Sequence, residues 1–332
     1  MKFYLIYVFM VGFSASFFLT SFVANIGERD RFFKKPKDLS TGRSCLGGIA
    51  IFTAFLIAIL SASFLKDYFE ARIIRLILPS VIIILLGIFD DAKELRPFTK
   101  IMVELIVALL LVKSGIVTKI SFVPSWVNLG ITILWVVFIV NAFNLLDIVD
   151  GLASGLVIII STTLLVIAVA KRDLFSGTIL IALIASHIGF LRYNYPPARI
   201  YMGDTGSLFS GFLLSATTIS ISYAPAERPV ALITPLIAIS LPVYDTLFLI
   251  IMRLKKGVPI FNKSRDHFTL RLIAMGYSIR KSIWVMYLFC ILLGISALLV
   301  AFGTSFLSII TIGIVMLMFV FIGRIVAMVN VR

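Results

Sequence analysis

Cysteine and histidine are almost missing, with two of each in 332 residues. Cys45 falls in a basic loop and Cys290 in an apolar run, so neither a disulfide framework nor a cysteine-ligated metal is supported. Acids are few as well, 16 against 30 Lys and Arg, and charged residues make up only 14% of the chain. A water-soluble surface needs more than that. With 61% hydrophobic residues and a mean hydropathy of +1.12, the composition is that of a polytopic membrane protein. A Gly-rich phosphate loop ending in Lys-Ser/Thr is also missing, which leaves ATP hydrolysis without support. Neither an internal repeat nor a separate soluble domain is visible. The first apolar run, Phe3 to Ala24, lacks a small-residue cleavage site and reads as an uncleaved helix.

What fills the chain is apolar runs of roughly 20 residues, the length that crosses ~30 Å of hydrocarbon. Spans are expected at about 3–25, 46–65, 73–89, 98–117, 126–146, 151–170, 174–192, 205–223, 229–252, 281–301 and 304–324. The expected fold is therefore all-α, a polytopic membrane bundle of about 11 transmembrane helices forming a single domain over residues 1–332. Lys and Arg on alternate sides of these spans number 6 in 26–45, 3 in 90–100, 2 in 192–199, 8 in 253–281 and 2 at the C-terminus. These sum to 21 of the 30, leaving 9 for the other side. The positive-inside rule then predicts an outside N-terminus and a cytoplasmic C-terminus.

The scarce acids are not scattered. Asp90 and Asp91 end one apolar run, Asp147 and Asp150 end another in NAFNLLDIVDG, and Asp204 and Asp266 fall on the same side. A helix C-terminus already carries negative partial charge, so two acidic helix ends call for a shared cation. Lys100, after the LRPF turn, suits a phosphate or a lipid headgroup equally. In FLRYNYPPARIYMGDTGS, residues 190–207, two prolines predict an ordered loop carrying Asn194, Tyr201 and Asp204. Asp204 reads as a plain N-cap or as part of a phosphate site at a helix start. Lys37 and Arg43 stand out in a loop whose other cations read as lipid anchors. Asp245, inside the ninth expected span, needs a partner, for which Arg253 or a polar neighbour is a candidate. His187, alone in an apolar helix, reads as a satisfied core histidine.

Carboxylates without histidine or cysteine company suit Mg²⁺ or Mn²⁺ over zinc, and such an ion usually works with substrate phosphates. Basic residues on the same face and an aromatic such as Tyr201 then point to phosphoryl transfer between a nucleotide and a membrane lipid.

Four segments occur here in one order: GIFDDAKELRPFTK, NAFNLLDIVDGLASG, FLRYNYPPARIYMGDTGSLFSGF and LPVYDT. In this the chain resembles the polyprenyl-phosphate N-acetylhexosamine-1-phosphate transferases, over Gly47 to about Ile279. The resemblance implies transfer of a sugar 1-phosphate from a UDP-N-acetylhexosamine, UDP-N-acetylglucosamine before others, to undecaprenyl phosphate, with release of UMP. It implies Mg²⁺ as cofactor, an active site facing the cytoplasm at the bacterial inner membrane, and a role in starting a cell-envelope glycan. Nucleic acid is not an expected partner; a homodimer is the expected assembly. By motif, Asp204 and Asp91 are implied as metal ligands, and Asp90, Asp91 and His267 as catalytic. Lys100, Asn144, Asp147, Asp150, Asn194, Tyr201 and Arg265 are implied as substrate contacts, with Tyr201 stacking on uracil.

The chain departs from the family pattern in places. DIVDG has Ile148 where glycine is usual, and Ser44 stands where a proline is expected before the glycine pair. The basic loop keeps Asp266 and His267 but no run of histidines, which argues against a muramoyl-pentapeptide donor. A transporter using membrane acids to bind an ion is the competing class, and a catalytically degenerate scaffold is a third.

Overall fold

Helix is the only regular structure among the described residues, which are 2–27, 43–65, 70–224, 227–259 and 266–329 of a computed structural model. They form two compact units, residues 1–221 and 222–332. The first unit contains α1 (Lys2–Gly27), α2 (Gly47–Ser63), α3 (Glu70–Ala92), α4 (Pro97–Lys113), α5 (Ser125–Leu146), α6 (Leu152–Ala170), α7 (Leu174–Asn194) and α8 (Gly203–Ser220). The second contains a 3-10 turn (Pro229–Ile233), α9 (Thr234–Ala238), α10 (Ser240–Lys255), α11 (Phe268–Ala274), α12 (Ile279–Phe302) and α13 (Ser305–Ala327).

The core of the first unit is α8, fifteen of whose eighteen residues are buried. It packs against α2, α3 and α5, while α7 lies against α1, α2 and α6. Its sequence explains the position, since GDTGSLFSGFLLSATTIS is rich in small residues that let neighbouring backbones approach. The hydroxyls do not go unpaired: Ser210 Oγ donates to the Gly206 carbonyl at 2.6 Å and Thr217 Oγ1 to Leu213 at 2.7 Å. His187 of α7 is satisfied as expected, with Nδ1 at 2.9 Å from the Leu183 carbonyl and Nε2 at 3.0 Å from Ser210 Oγ.

Six helices among the described residues are long and apolar enough to span a membrane: α1, α5, α6, α7, α12 and α13. A seventh span exists if the bent pair from the 3-10 turn through α10 counts as one. This is fewer than the expected eleven. Helix α2 is apolar but has only 17 residues, α4 has 17 with Lys100, Glu104 and Lys113 among them, and α8 is diluted by Gly, Ser and Thr. The span expected over 229–252 is not one helix, for it bends by 70° at a break between Ala238 and Ser240. Pro242 cannot donate to the carbonyl of Ala238 and its ring crowds that carbonyl, so a continuous helix fails there.

Candidate functional site

Helix α3 runs so close to the start of α8 that a Cβ on Gly87 would collide with the main chain of Thr205. That approach brings Asp91, in the last turn of α3, onto the exposed amides of α8. Asp91 Oδ1 accepts from the Asp204 amide at 2.8 Å, and Oδ2 accepts from the Thr205 amide at 3.0 Å and its hydroxyl at 2.7 Å. This is N-capping supplied by another helix. The residue in the cap position itself, Met202, makes no side-chain cap bond. Gly203 turns the chain into the helix with φ +71°, and a side chain there would sit 2.6 Å from Asp91 Oδ2. Both Asp91 oxygens, expected at the metal, thus face α8, and Asp204 is not the plain cap that its position suggests.

Relieved of capping, Asp204 points elsewhere. Its Oδ1 accepts from Asn144 Nδ2 of α5 at 2.8 Å, and the same nitrogen reaches Ser207 Oγ at 3.1 Å. Its carboxyl lies near that of Asp90, which is 2% exposed. Asp90 Oδ1 accepts from the Leu95 amide at 2.7 Å, and Oδ2 is ion-paired with Lys100 from the first turn of α4. Four helices therefore place two carboxyl groups, an amide and an ammonium at one point. Ser207 and Thr205 were not singled out by sequence; only their spacing of one turn and one residue from Asp204 hinted at them.

Gly203 also lines a cavity of about 260 Å³ with Asp147, Asp150, Asn194 and Tyr201. Asp147 ends α5 with φ −78° and ψ 62°, and the Ile148 amide donates back to the Leu146 carbonyl at 2.9 Å, an inverse γ-turn. Ile148 adopts a negative φ, so glycine is not required at that position. Asp150 Oδ2 accepts from the Ala198 amide at 3.1 Å. Asn194 accepts from the Gly151 amide at 2.9 Å and donates to the Ile200 carbonyl at 2.9 Å. Both side chains thus fasten the 195–202 loop, leaving less of each for a ligand. Tyr201 is held through its main chain, accepting from Gly47 at 3.0 Å and donating to Ser44 at 2.9 Å. Arg43 lies 5.9 Å from the Tyr201 ring centre and donates to its hydroxyl at 3.3 Å. Cys45, given no role by sequence, lines the same cavity.

In the second unit His267 Nδ1 lies 2.8 Å from Asp245 Oδ2, and the Phe268 amide donates to Asp245 Oδ1 at 2.7 Å. The start of α11 thus supplies Asp245 with the polar neighbour expected for it. Beside it, Asp266 Oδ1 accepts from Lys256 Nζ and Arg271 Nη2, each at 2.6 Å. Burial pushes the Asp266 carboxyl up, but the bonds and charges of Lys256 and Arg271 outweigh it and hold the group below the usual carboxylate range. Arg271, 1% exposed, also donates to the Val326 carbonyl at 2.9 Å and the Val329 carbonyl at 2.5 Å. Arg265 and Lys37 lie outside the described residues.

Among the described residues no three His, Cys, Asp or Glu side chains stand close enough to hold a metal alone. Mg²⁺ does not require that, since it commonly takes one or two carboxylates and completes its shell with substrate phosphate and water. Two neighbouring carboxylates need positive charge beside them, of which Lys100 supplies one unit through Asp90. The carboxylate oxygens of Asp90 and Asp204 are the donor type that Mg²⁺ takes, so the pair fits such an ion.

A family model described as "Glycosyl transferase family 4" matches residues 73–222, the stretch from α3 to just past α8. A protein of Bacillus subtilis (strain 168) named "Probable undecaprenyl-phosphate N-acetylglucosaminyl 1-phosphate transferase" is 35% identical over 293 residues, 86% of this chain and 81% of that one. The chain belongs to glycosyl transferase family 4. Other relatives align over longer or shorter stretches. The "Decaprenyl-phosphate N-acetylglucosaminephosphotransferase" of Mycobacterium leprae (strain TN) is 28% identical, covering 89% of this chain and 82% of that protein. The "Phospho-N-acetylmuramoyl-pentapeptide-transferase" of Desulforudis audaxviator (strain MP104C) is 31% identical but covers only 54% of this chain and 63% of its own length.

Proposed function

We propose that this family 4 member transfers N-acetylglucosamine 1-phosphate from UDP-N-acetylglucosamine to a polyprenyl phosphate, undecaprenyl phosphate in the first instance, and releases UMP. The nearness of Asp90 to Asp204 beside Lys100 carries the reading, because it joins a cation-seeking pair to a phosphate-seeking ammonium. The names of the relatives support a polyprenyl phosphate acceptor and an N-acetylglucosamine donor.

In this reading the cavity beside Gly203 receives the donor, with the uracil on Tyr201 and the diphosphate toward Asp204. Arg43 leaves the Tyr201 ring as the base arrives. Asp147 and Asp150 take the sugar and ribose side, while Asn194 holds the wall. Lys100 steers the acceptor phosphate, and Asp90 orients it and takes any proton it carries. One acceptor oxygen then attacks the β-phosphorus in line; the bond from that phosphorus to the bridging oxygen breaks, and UMP leaves with the electron pair. Mg²⁺ at Asp204 and Asp90 would supply charge neutralisation to the diphosphate. Asp91 supports this pair by fixing the start of α8. Within the second unit His267 is held at Nδ1 by Asp245. The positive-inside count supports a cytoplasmic site in a bacterial inner membrane.

The test is purified protein in detergent with undecaprenyl phosphate, Mg²⁺ and a panel of UDP-N-acetylhexosamines, following UMP release and organic-extractable sugar. A lipid-linked product that disappears with EDTA is expected, with N-acetylglucosamine the best donor. No UMP from any donor, while a characterised family member works alongside, overturns the proposal.

A further inference from the structure

Glu104 of α4 is fully buried, 0% exposed, one helical turn below Lys100. Its Oε2 accepts from Asn141 Nδ2 of α5, and Asn141 lies one turn below Asn144. The same nitrogen also donates to the Val137 carbonyl of its own helix at 2.8 Å, so both of its hydrogens are committed. Glu104 Oε1 has no hydrogen-bond partner among the described residues. An acid in this setting is costly, and the proposed chemistry gives it no task.

The placement supplies one. Lys100 and Glu104 are four residues apart on α4, and Asn144 and Asn141 are three apart on α5, so each pair shares a helix face. The upper members, Lys100 and Asn144, hold Asp90 and Asp204. The lower members hold each other. Apolar packing alone resists sliding of two membrane helices only weakly, whereas one interhelical polar contact fixes a register.

We propose that Glu104 and Asn141 are positioning residues, a polar clasp that sets the register of α4 on α5 and so places Lys100 and Asn144 against Asp90 and Asp204. Its contribution to turnover rests on the transferase reading; the clasp itself does not.

Four variants test it: Glu104→Gln, Glu104→Leu, Asn141→Leu and the double Leu variant. Glutamine keeps an oxygen to accept from Asn141, so Glu104→Gln is expected within about threefold of the unaltered kcat. Each single Leu variant is expected to lose about 10- to 100-fold in kcat with donor KM nearly unchanged, the pattern of a misplaced group that does not bind substrate. The double variant should be no worse than the poorer single, because one contact is lost once. Equal inactivation by Gln and Leu would overturn the clasp by assigning the carboxylate to chemistry, and additive losses would overturn it by separating the two residues. Thermal unfolding of the same four proteins gives a second arm independent of turnover. Coupled Tm shifts support the clasp and additive shifts overturn it, even if the unaltered chain releases no UMP and the transferase reading itself fails. If the Leu variants cannot be purified, Glu104→Gln decides alone: near-normal kcat supports the clasp, and a Gln variant as inactive as Asp204→Asn overturns it.

Discussion

Asp91 caps a helix to which it does not belong, its Oδ1 lying 2.8 Å from the amide of Asp204. One acid thereby frees its neighbour in space: Asp204 would otherwise fold back onto its own helix start. Asp91→Asn keeps the shape but turns a donor toward amides that also donate. Its expected effect is a loss of about 1–3 kcal/mol in stability, read as a lower Tm, together with reduced turnover. Asp204→Asn differs, with turnover falling by about two to three powers of ten and Tm held near that of the unaltered protein. Full UMP release by Asp204→Asn would remove that residue from the proposed metal pair.

Tyr201→Ala should raise the donor KM about tenfold or more, since base stacking on an aromatic contributes about 1–3 kcal/mol. The acceptor KM should stay within about twofold. Titrating each substrate at saturation of the other separates the two; equal rises would count against stacking.

Ile148→Gly restores the residue usual in the family, yet it should not raise activity. Ile148 has no positive φ for glycine to relieve, so the exchange adds chain entropy to the unfolded state and removes a half-buried side chain from the cavity wall. A slightly lower Tm with unchanged kcat is the expected result, and a several-fold gain in kcat would show that the isoleucine limits the site.

The second unit should lose stability in acid through Asp266. Its folded-state carboxyl titrates below the usual range, so its contribution is complete above the unfolded value of about 3.9. The contribution declines as pH falls through the lower folded value. Asp266→Asn removes this dependence and leaves Arg271 buried without its carboxylate partner. Unfolding curves should therefore start lower for the variant near neutrality, keep that gap down to about pH 3.9 and converge with the unaltered protein only as pH falls further.

Several of these features could be read in advance. The helical class followed from long apolar runs, and the acids at the ends of α3 and α5 stood out because little else there is charged. Tyr201 and Asp204 were visible because two prolines stop α7 and force a loop before α8. Asp91's task was not, since it depends on how closely Gly87 lets α3 approach Thr205, a distance that neither segment encodes alone. The pairing of Asp245 with His267 joins residues 22 apart in sequence, where sequence offered Arg253 on the same helix or an unspecified polar neighbour. Six or seven described helices are long and apolar enough to span, against the eleven expected, because α2 and α4 are short and α8 is diluted by Gly, Ser and Thr. The break before Ser240 was signalled by Pro235 and Pro242, but the apolar run around them concealed it.

Gly48 cannot carry even a methyl group without meeting the main chain of Gly206. Gly48→Ala should accordingly fail to give a stable protein, or melt well below the unaltered one, as judged by detergent-solution thermal scans. The contact also bears on how such a protein can change. Where backbone rests on backbone, there is no side chain for mutation to trim or enlarge, so that layer beneath the start of α8 is closed to gradual variation. On the proposed reading, a lineage that shifts to another sugar does so through the residues that line the cavity, Asp147 to Asp150 and Tyr201, and the scaffold under them stays as it is.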